Sequence, residues 1–127
     1  MRVLKTRAFD RFAKSENITD VQLVSAIAAA ERGLIDADLG GGIIKLRIAR
    51  PGRGKSGGFR TLIAYRAKAR AVFLYGFAKS GRANIQSDEL ETLKLAAADI
   101  LASTDKVITK MLEERKLVEV DGASQKN

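Results

Sequence analysis

A chain of 127 residues, 46% hydrophobic and 30% charged, suits one globular domain with a sizeable core rather than a disordered segment or two domains. It has neither Cys nor His, which excludes a disulfide framework, the usual zinc site, a Cys nucleophile and a Ser-His-Asp triad, and leaves carboxylates, Lys, Arg, Tyr, Ser or a bound cofactor for any chemistry. The formal charge is +8, from 23 Lys and Arg against 15 Asp and Glu; with no apolar run long enough to span a bilayer and no secretory signal in Met1-Arg2-Val3-Leu4-Lys5, a cytoplasmic protein without a membrane partner is expected.

In chain order, Arg2 to Lys5 reads as a short edge strand. A helix follows Thr6, with Phe9, Phe12 and Ala13 on one face. Thr19 and Gln22 form a capping box, with Ile18 and Leu23 as its hydrophobic staple, and Gly33 stands where a left-handed cap ends the Ala-rich helix. Gly40-Gly41-Gly42 breaks the chain, and the periodicity then becomes alternating. Ile44, Leu46 and Ile48 point one way and Lys45 and Arg47 the other. After a Gly-rich loop, Phe59, Thr61, Ile63 and Tyr65 alternate with Arg60, Leu62, Ala64 and Arg66. Ala67 to Arg70 is a turn, and Ala71 to Lys79 is apolar on both faces, as in an interior strand. Short connections make these three strands an antiparallel meander. Ser87 is the expected cap of a helix with Leu90, Leu93, Ala97, Ile100 and Leu101 as its stripe. Thr104-Asp105 starts another, Leu117 to Val120 is a last strand, and residues 121–127 read as a flexible tail after a domain spanning 1–120. The expectation is a single α+β domain with helices on one face of an antiparallel sheet.

The segment Ala49-Arg50-Pro51-Gly52-Arg53-Gly54-Lys55-Ser56 fits a relaxed Walker A pattern. That motif works only when a helix follows, so that its amino terminus meets the phosphates. The residues after it alternate as a strand, so a flexible basic hairpin loop is the better reading. In that role Arg50, Arg53 and Lys55 are candidate RNA-binding residues.

Charge distribution gives the strongest functional signal. Between Asp38 and Asp88 no acidic residue occurs, while eleven basic ones do; the rest of the chain holds 12 basic and 15 acidic residues. A one-signed block on an otherwise mildly acidic molecule is the footprint of a polyanion-binding surface. On a meander, Lys45, Arg47 and Arg60 share one face. Lys79 and Arg82 lie at the exit of the third strand, with Asn84 beside them as a further RNA contact.

The order of elements, the Lys45-Leu46-Arg47 strand, the Gly58-Phe59-Arg60 strand start and the segment from Tyr75 to Ile85 resemble the RelE/ParE superfamily of toxins, and within it the RelE-type HigB-like proteins. The resemblance covers roughly Met1 to Val120. It implies the toxin of a type II toxin-antitoxin system, a RelE-like fold in which N-terminal helices pack on one face of the meander and a C-terminal helix or helix pair follows, and metal-independent, cofactor-free cleavage of mRNA in the ribosomal A site. It also implies inhibition by a cognate acidic antitoxin, with mRNA and the ribosome as the other partners. It places catalytic roles on Lys45, Arg47, Arg60 and Lys79, with Arg82 as a second candidate at the last position. Some relatives carry a catalytic Tyr where this chain has Ile85, which leaves Tyr65 and Tyr75 as substitutes, and Lys45 as a candidate general base. The same fold also hosts ParE-like gyrase inhibitors, and a non-catalytic RNA- or ribosome-binding module is the third alternative.

Overall fold

The computed structural model describes residues 1–50, 54–78 and 85–121, with residues 50 and 54–57 described by their backbone alone. The elements run β1 (Arg2–Thr6), α1 (Arg7–Ser15), α2 (Asp20–Glu31), β2 (Ala37–Gly40), β3 (Ile43–Arg50), β4 (Gly54–Arg66), β5 (Arg70–Ala78), α3 (Ser87–Ala102), α4 (Asp105–Glu113) and β6 (Leu117–Glu119). They form an α+β fold around one six-stranded sheet of order β2-β3-β4-β5-β1-β6.

Local signals set most boundaries. The Thr6 hydroxyl accepts the Phe9 N–H at 3.1 Å, and Thr19 and Gln22 close the capping box from both sides. Gly33, at φ 87°, ends α2, and the Leu34 N–H reaches back to the Ala29 carbonyl at 3.0 Å. Gln86, not Ser87, takes the cap position of α3, because the Glu89 carboxylate accepts the Gln86 N–H at 3.1 Å and fixes the first turn one residue earlier. Gly40, Gly41 and Gly42 all have positive φ and turn β2 into β3, so the glycine run starts the meander with a hairpin whose first strand is short.

The β3-β4-β5 meander is antiparallel, as the short connections require. Two expectations change. First, β1 is not an edge: it runs parallel to β5 and is covered on its other side by β6. Parallel pairing needs a crossover, here the long excursion through both N-terminal helices and the hairpins, and its partner cannot be read from local pattern. Second, helices cover both faces. α1 and α2 pack with Ile44, Leu46, Ile48, Phe59, Ile63 and Phe73. Ala97, Ile100 and Leu101 of α3 and Ile108 of α4 pack with Ile43, Leu62, Ala64, Val72 and Leu74 on the reverse side. The apolar face of Ile43, Leu62 and Ala64 needed its own cover, and the C-terminal helices supply it.

Between Leu62 and Ile63 the register to β5 shifts, so that Leu74 and Tyr75 together oppose Leu62. This bulge turns Tyr75 toward the α3 side and leaves Gly76 under α1. A Cβ at Gly76 would lie 2.5 Å from a Phe12 ring carbon and 3.1 Å from one of Phe9. Those rings are held in turn by Phe59, edge-on to Phe12 at 5.7 Å, and by Phe73, 5.1 Å from Phe9. Gly76→Ala is therefore expected to cost about 1–3 kcal/mol, the range for overpacking a filled core. Urea unfolding measures it, and an unchanged midpoint would show that α1 seats more loosely than the ring contacts imply.

Candidate nucleic-acid interface

Alternation along β3 sends Lys45 and Arg47 to the face opposite Ile44, Leu46 and Ile48. The register then brings Arg47 directly opposite Arg60 on β4, and Arg60 directly opposite Phe77 on β5. One step along the strands, Lys45 faces Leu62 and Leu62 faces Tyr75. Two rows thus cross three strands on one face: Arg47, Arg60 and Phe77, beside Lys45, Leu62 and Tyr75. Lys45 and Arg47, neighbours on one face of β3, share a surface with Arg60 of β4 because the meander has short turns.

Arg60 is the unusual member. It is only 4% exposed, and its Nη1 is buried without a hydrogen-bond partner among the described residues. Such an orphan donor costs about 1–3 kcal/mol or more when the group is charged. Arg47, across the strand gap, adds like-charge repulsion. A fold retains such a group where an outside acceptor completes it.

Lys45 and Arg47 are in a different state. One carboxylate serves both: Asp36 Oδ1 lies 3.2 Å from Arg47 Nη2, and Asp36 Oδ2 lies 3.9 Å from Lys45 Nζ. Asp36 comes from the segment between α2 and β2, and its own N–H donates to the Lys45 carbonyl at 2.9 Å. Charge reading along the chain missed this partner because Asp36 lies outside the acid-free window and reaches the site only once β2 pairs with β3. An open groove of about 390 Å³ runs from this point along Leu34, Ile35, Leu46 and Ala49 to Ala26 and Ala29 of α2.

The two tyrosines separate by face. Tyr65 packs on the α1/α2 side and hydrogen-bonds Glu31, away from the cation rows. Burial, with the Glu31 bond and charge added, pushes its hydroxyl up to about 12. Tyr75 is on the cation face, its ring 6.1 Å from that of Phe77. It also lines a cleft of about 330 Å³ with Ile85, Asp88, Glu89, Thr92 and Leu93. Ile85 itself is half-buried against the α3-side core.

Of the other candidates, Arg50 lies at the end of β3 and Lys55 near the start of β4, both described by backbone alone. The expected Gly-rich loop is instead strand at Arg50 and from Gly54 on, where the hairpin pairing extends to Arg50 and Gly54. Arg53, Lys79, Arg82 and Asn84 lie outside the described residues. Residues 54–66 form a strand where a Walker A loop needs a helix, so the nucleotide-binding reading fails on topology. Among the described residues no group of three or more Asp or Glu side chains is placed to hold a metal ion, and no helix is long and apolar enough to cross a membrane.

Comparison with the curated proteins found no match. The family model for the RelE toxin of the RelE / RelB toxin-antitoxin system matches residues 1–120, from the first strand to just beyond the last. With that match spanning every element of the sheet that gathers Lys45, Arg47 and Arg60, the chain belongs to the RelE toxin family.

Proposed function

We propose that this protein is a metal-independent endoribonuclease that cleaves mRNA in the ribosomal A site and is neutralised by an acidic antitoxin. Within the family we place it with the HigB-like proteins, on the order of its elements and the segment from Tyr75 to Ile85. The observation that carries the ribonuclease reading is Arg60: a buried guanidinium whose Nη1 has no partner among the described residues, opposite a second, half-exposed arginine on the neighbouring strand. RNA supplies its own nucleophile. The 2′-hydroxyl loses its proton and attacks the adjacent phosphorus, the bond to the 5′-oxygen breaks, and that oxygen takes up a proton, giving a 2′,3′-cyclic phosphate and a 5′-hydroxyl. Arg60 holds two phosphate oxygens and gains strength as negative charge grows on them. Lys45 and Arg47 grip the backbone beside it, and the role of stabilising the leaving oxygen goes to Lys79 or Arg82.

Tyr75 is the proton-transfer group in this scheme, since it shares the face with Arg60 and Tyr65 does not. Adding the purified protein to ribosomes stalled on a defined message and mapping the 5′ ends tests the activity. Tyr75→Phe is expected to slow single-turnover cleavage by at least about tenfold, toward the low end for general acid–base groups. Tyr65→Phe leaves it unchanged. Intact message, together with inhibited gyrase supercoiling, would replace this reading with the gyrase-directed one. Ribosome binding with intact message and unaffected gyrase would make the protein a non-catalytic binder.

A further inference from the structure

Asp36 stands where an RNA phosphate would stand, and we propose that it is a built-in competitor. Its carboxylate fills the anion subsite formed by Lys45 and Arg47 in the free protein and yields it to a backbone phosphate of bound RNA. This assignment rests on the ribonuclease reading above and adds to it a residue that sets RNA affinity.

The geometry supports displacement. The two carboxylate oxygens divide between the two cations, at 3.2 Å and 3.9 Å, as two phosphate oxygens would. The Asp36 N–H bond to the Lys45 carbonyl anchors the backbone, so the carboxylate is delivered to this point by the fold. The pair is open to solvent on one side, with the Arg47 side chain 39% exposed, so a phosphate can reach it. One strand further in, Arg60 has no carboxylate partner among the described residues. The face therefore has two anion subsites, one neutralised in cis and one not.

RNA arriving at Lys45 and Arg47 meets a like charge if Asp36 stays, since two anions about 4 Å apart repel even in water. If Asp36 moves, two ion pairs are given up. In the second case apparent affinity is scaled down to the fraction of molecules whose subsite is already free. The consequence is selective. Any RNA strand is attracted by unpaired surface cations, and one carboxylate shared by Lys45 and Arg47 offsets one of their two charges and weakens that indiscriminate attraction. A ligand that also engages Arg60 and further contacts overcomes the competitor.

The test uses a single-stranded RNA oligonucleotide with every 2′-hydroxyl methylated, which binds without being cut. Its dissociation constant is measured across a salt series for the wild type, Asp36→Asn, Arg47→Ala and the double variant. Asp36→Asn is expected to bind about five- to tenfold more tightly near 0.1 M salt, on the order of one unscreened close charge pair. The slope of log K against log salt should steepen by about 0.7, one more phosphate contact on a single strand. Arg47→Ala should weaken binding, and the Asp36→Asn gain should shrink in that background. Equal or weaker binding by Asp36→Asn, while Arg47→Ala still weakens it, would show that Asp36 orients the cations, and would overturn this inference while leaving the ribonuclease surface intact. No change in either single variant would remove the surface itself as the RNA site. Asp36→Ser provides the same comparison should the amide variant melt early.

Discussion

Arg60→Met is expected to slow cleavage severely without destabilising the protein. Loss of a preorganised charge that strengthens in the transition state lowers turnover by about 10² to 10³. Stability moves the other way. The wild type buries a guanidinium that is 4% exposed and leaves its Nη1 without an acceptor among the described residues, and it sets that charge opposite Arg47. Met fills similar volume, removes the desolvation cost and removes the repulsion, so the unfolding free energy should hold or rise by about 1 kcal/mol. Arg60→Lys keeps charge but loses the planar fork, and should fall between the two in rate. Single-turnover cleavage on stalled ribosomes, paired with urea unfolding of the same preparations, checks both halves. Wild-type cleavage by a folded Arg60→Met protein would exclude Arg60 from the chemistry. A large loss of stability would mean that the guanidinium is a structural group after all. A residue that costs stability and supports activity is the usual sign of a functional site.

This opposition of rate and stability also marks what the sequence could reveal. Lys45, Arg47 and Arg60 were legible because alternation assigns them to one face and short turns leave little choice of neighbours. Thr19 was equally legible as a cap, and Thr6 and Thr104 as helix starts; each accepts an N–H three residues on. What stayed hidden depends on partners far along the chain. The stripe of α3 shows that one face is apolar, but not which side of the sheet it covers. β1 gives no hint that it lies between β5 and β6. Asp36 acquires meaning only from β2 pairing, and Tyr75 only from a bulge that places Leu74 and Tyr75 opposite one residue. These are decisions of tertiary assembly, which local periodicity does not encode.

The same limit conceals a buried ion-pair cluster whose disruption should be costly. Lys5, which reads as an ordinary strand end, is 7% exposed, and its Nζ lies 3.0 Å from Asp10 Oδ1 of α1 and 2.8 Å from Asp20 Oδ1 of α2. Asp20 Oδ2 also accepts the Asp121 N–H at 2.8 Å, so one ammonium ties an interior strand, both N-terminal helices and the chain after β6. Lys5→Met leaves two carboxylates facing each other without their shared cation. Breaking a buried ion pair from one side costs about 3–5 kcal/mol; the lower end, about 3 kcal/mol, is expected here because Asp20 is partly exposed and keeps its backbone partner. Acid provides the sharper check. Burial alone would raise the Asp10 carboxyl, but hydrogen bonds from Lys5 and Lys14 and their charges outweigh it and hold it below the ordinary value. A carboxyl lowered by folding stabilises the protein above its unfolded pKa, and that contribution is lost as pH falls through the lower folded value. Lys5 is raised: burial lowers it, yet its bonds to Asp20 and Asp10 and their charges prevail, so its contribution persists until pH climbs past about 10.5. Both terms are therefore at full strength near pH 7. In Lys5→Met the burial cost on Asp10 is opposed mainly by the exposed Lys14, and protonation relieves it. The stability gap between the two proteins should be widest at neutral pH and should narrow below about pH 4, and Asp10→Asn added to Lys5→Met should recover part of the loss. Urea unfolding from pH 3 to 8 measures this. A gap that stays constant across that range would mean that Lys5 acts through the packing of its aliphatic stem and not through its charge.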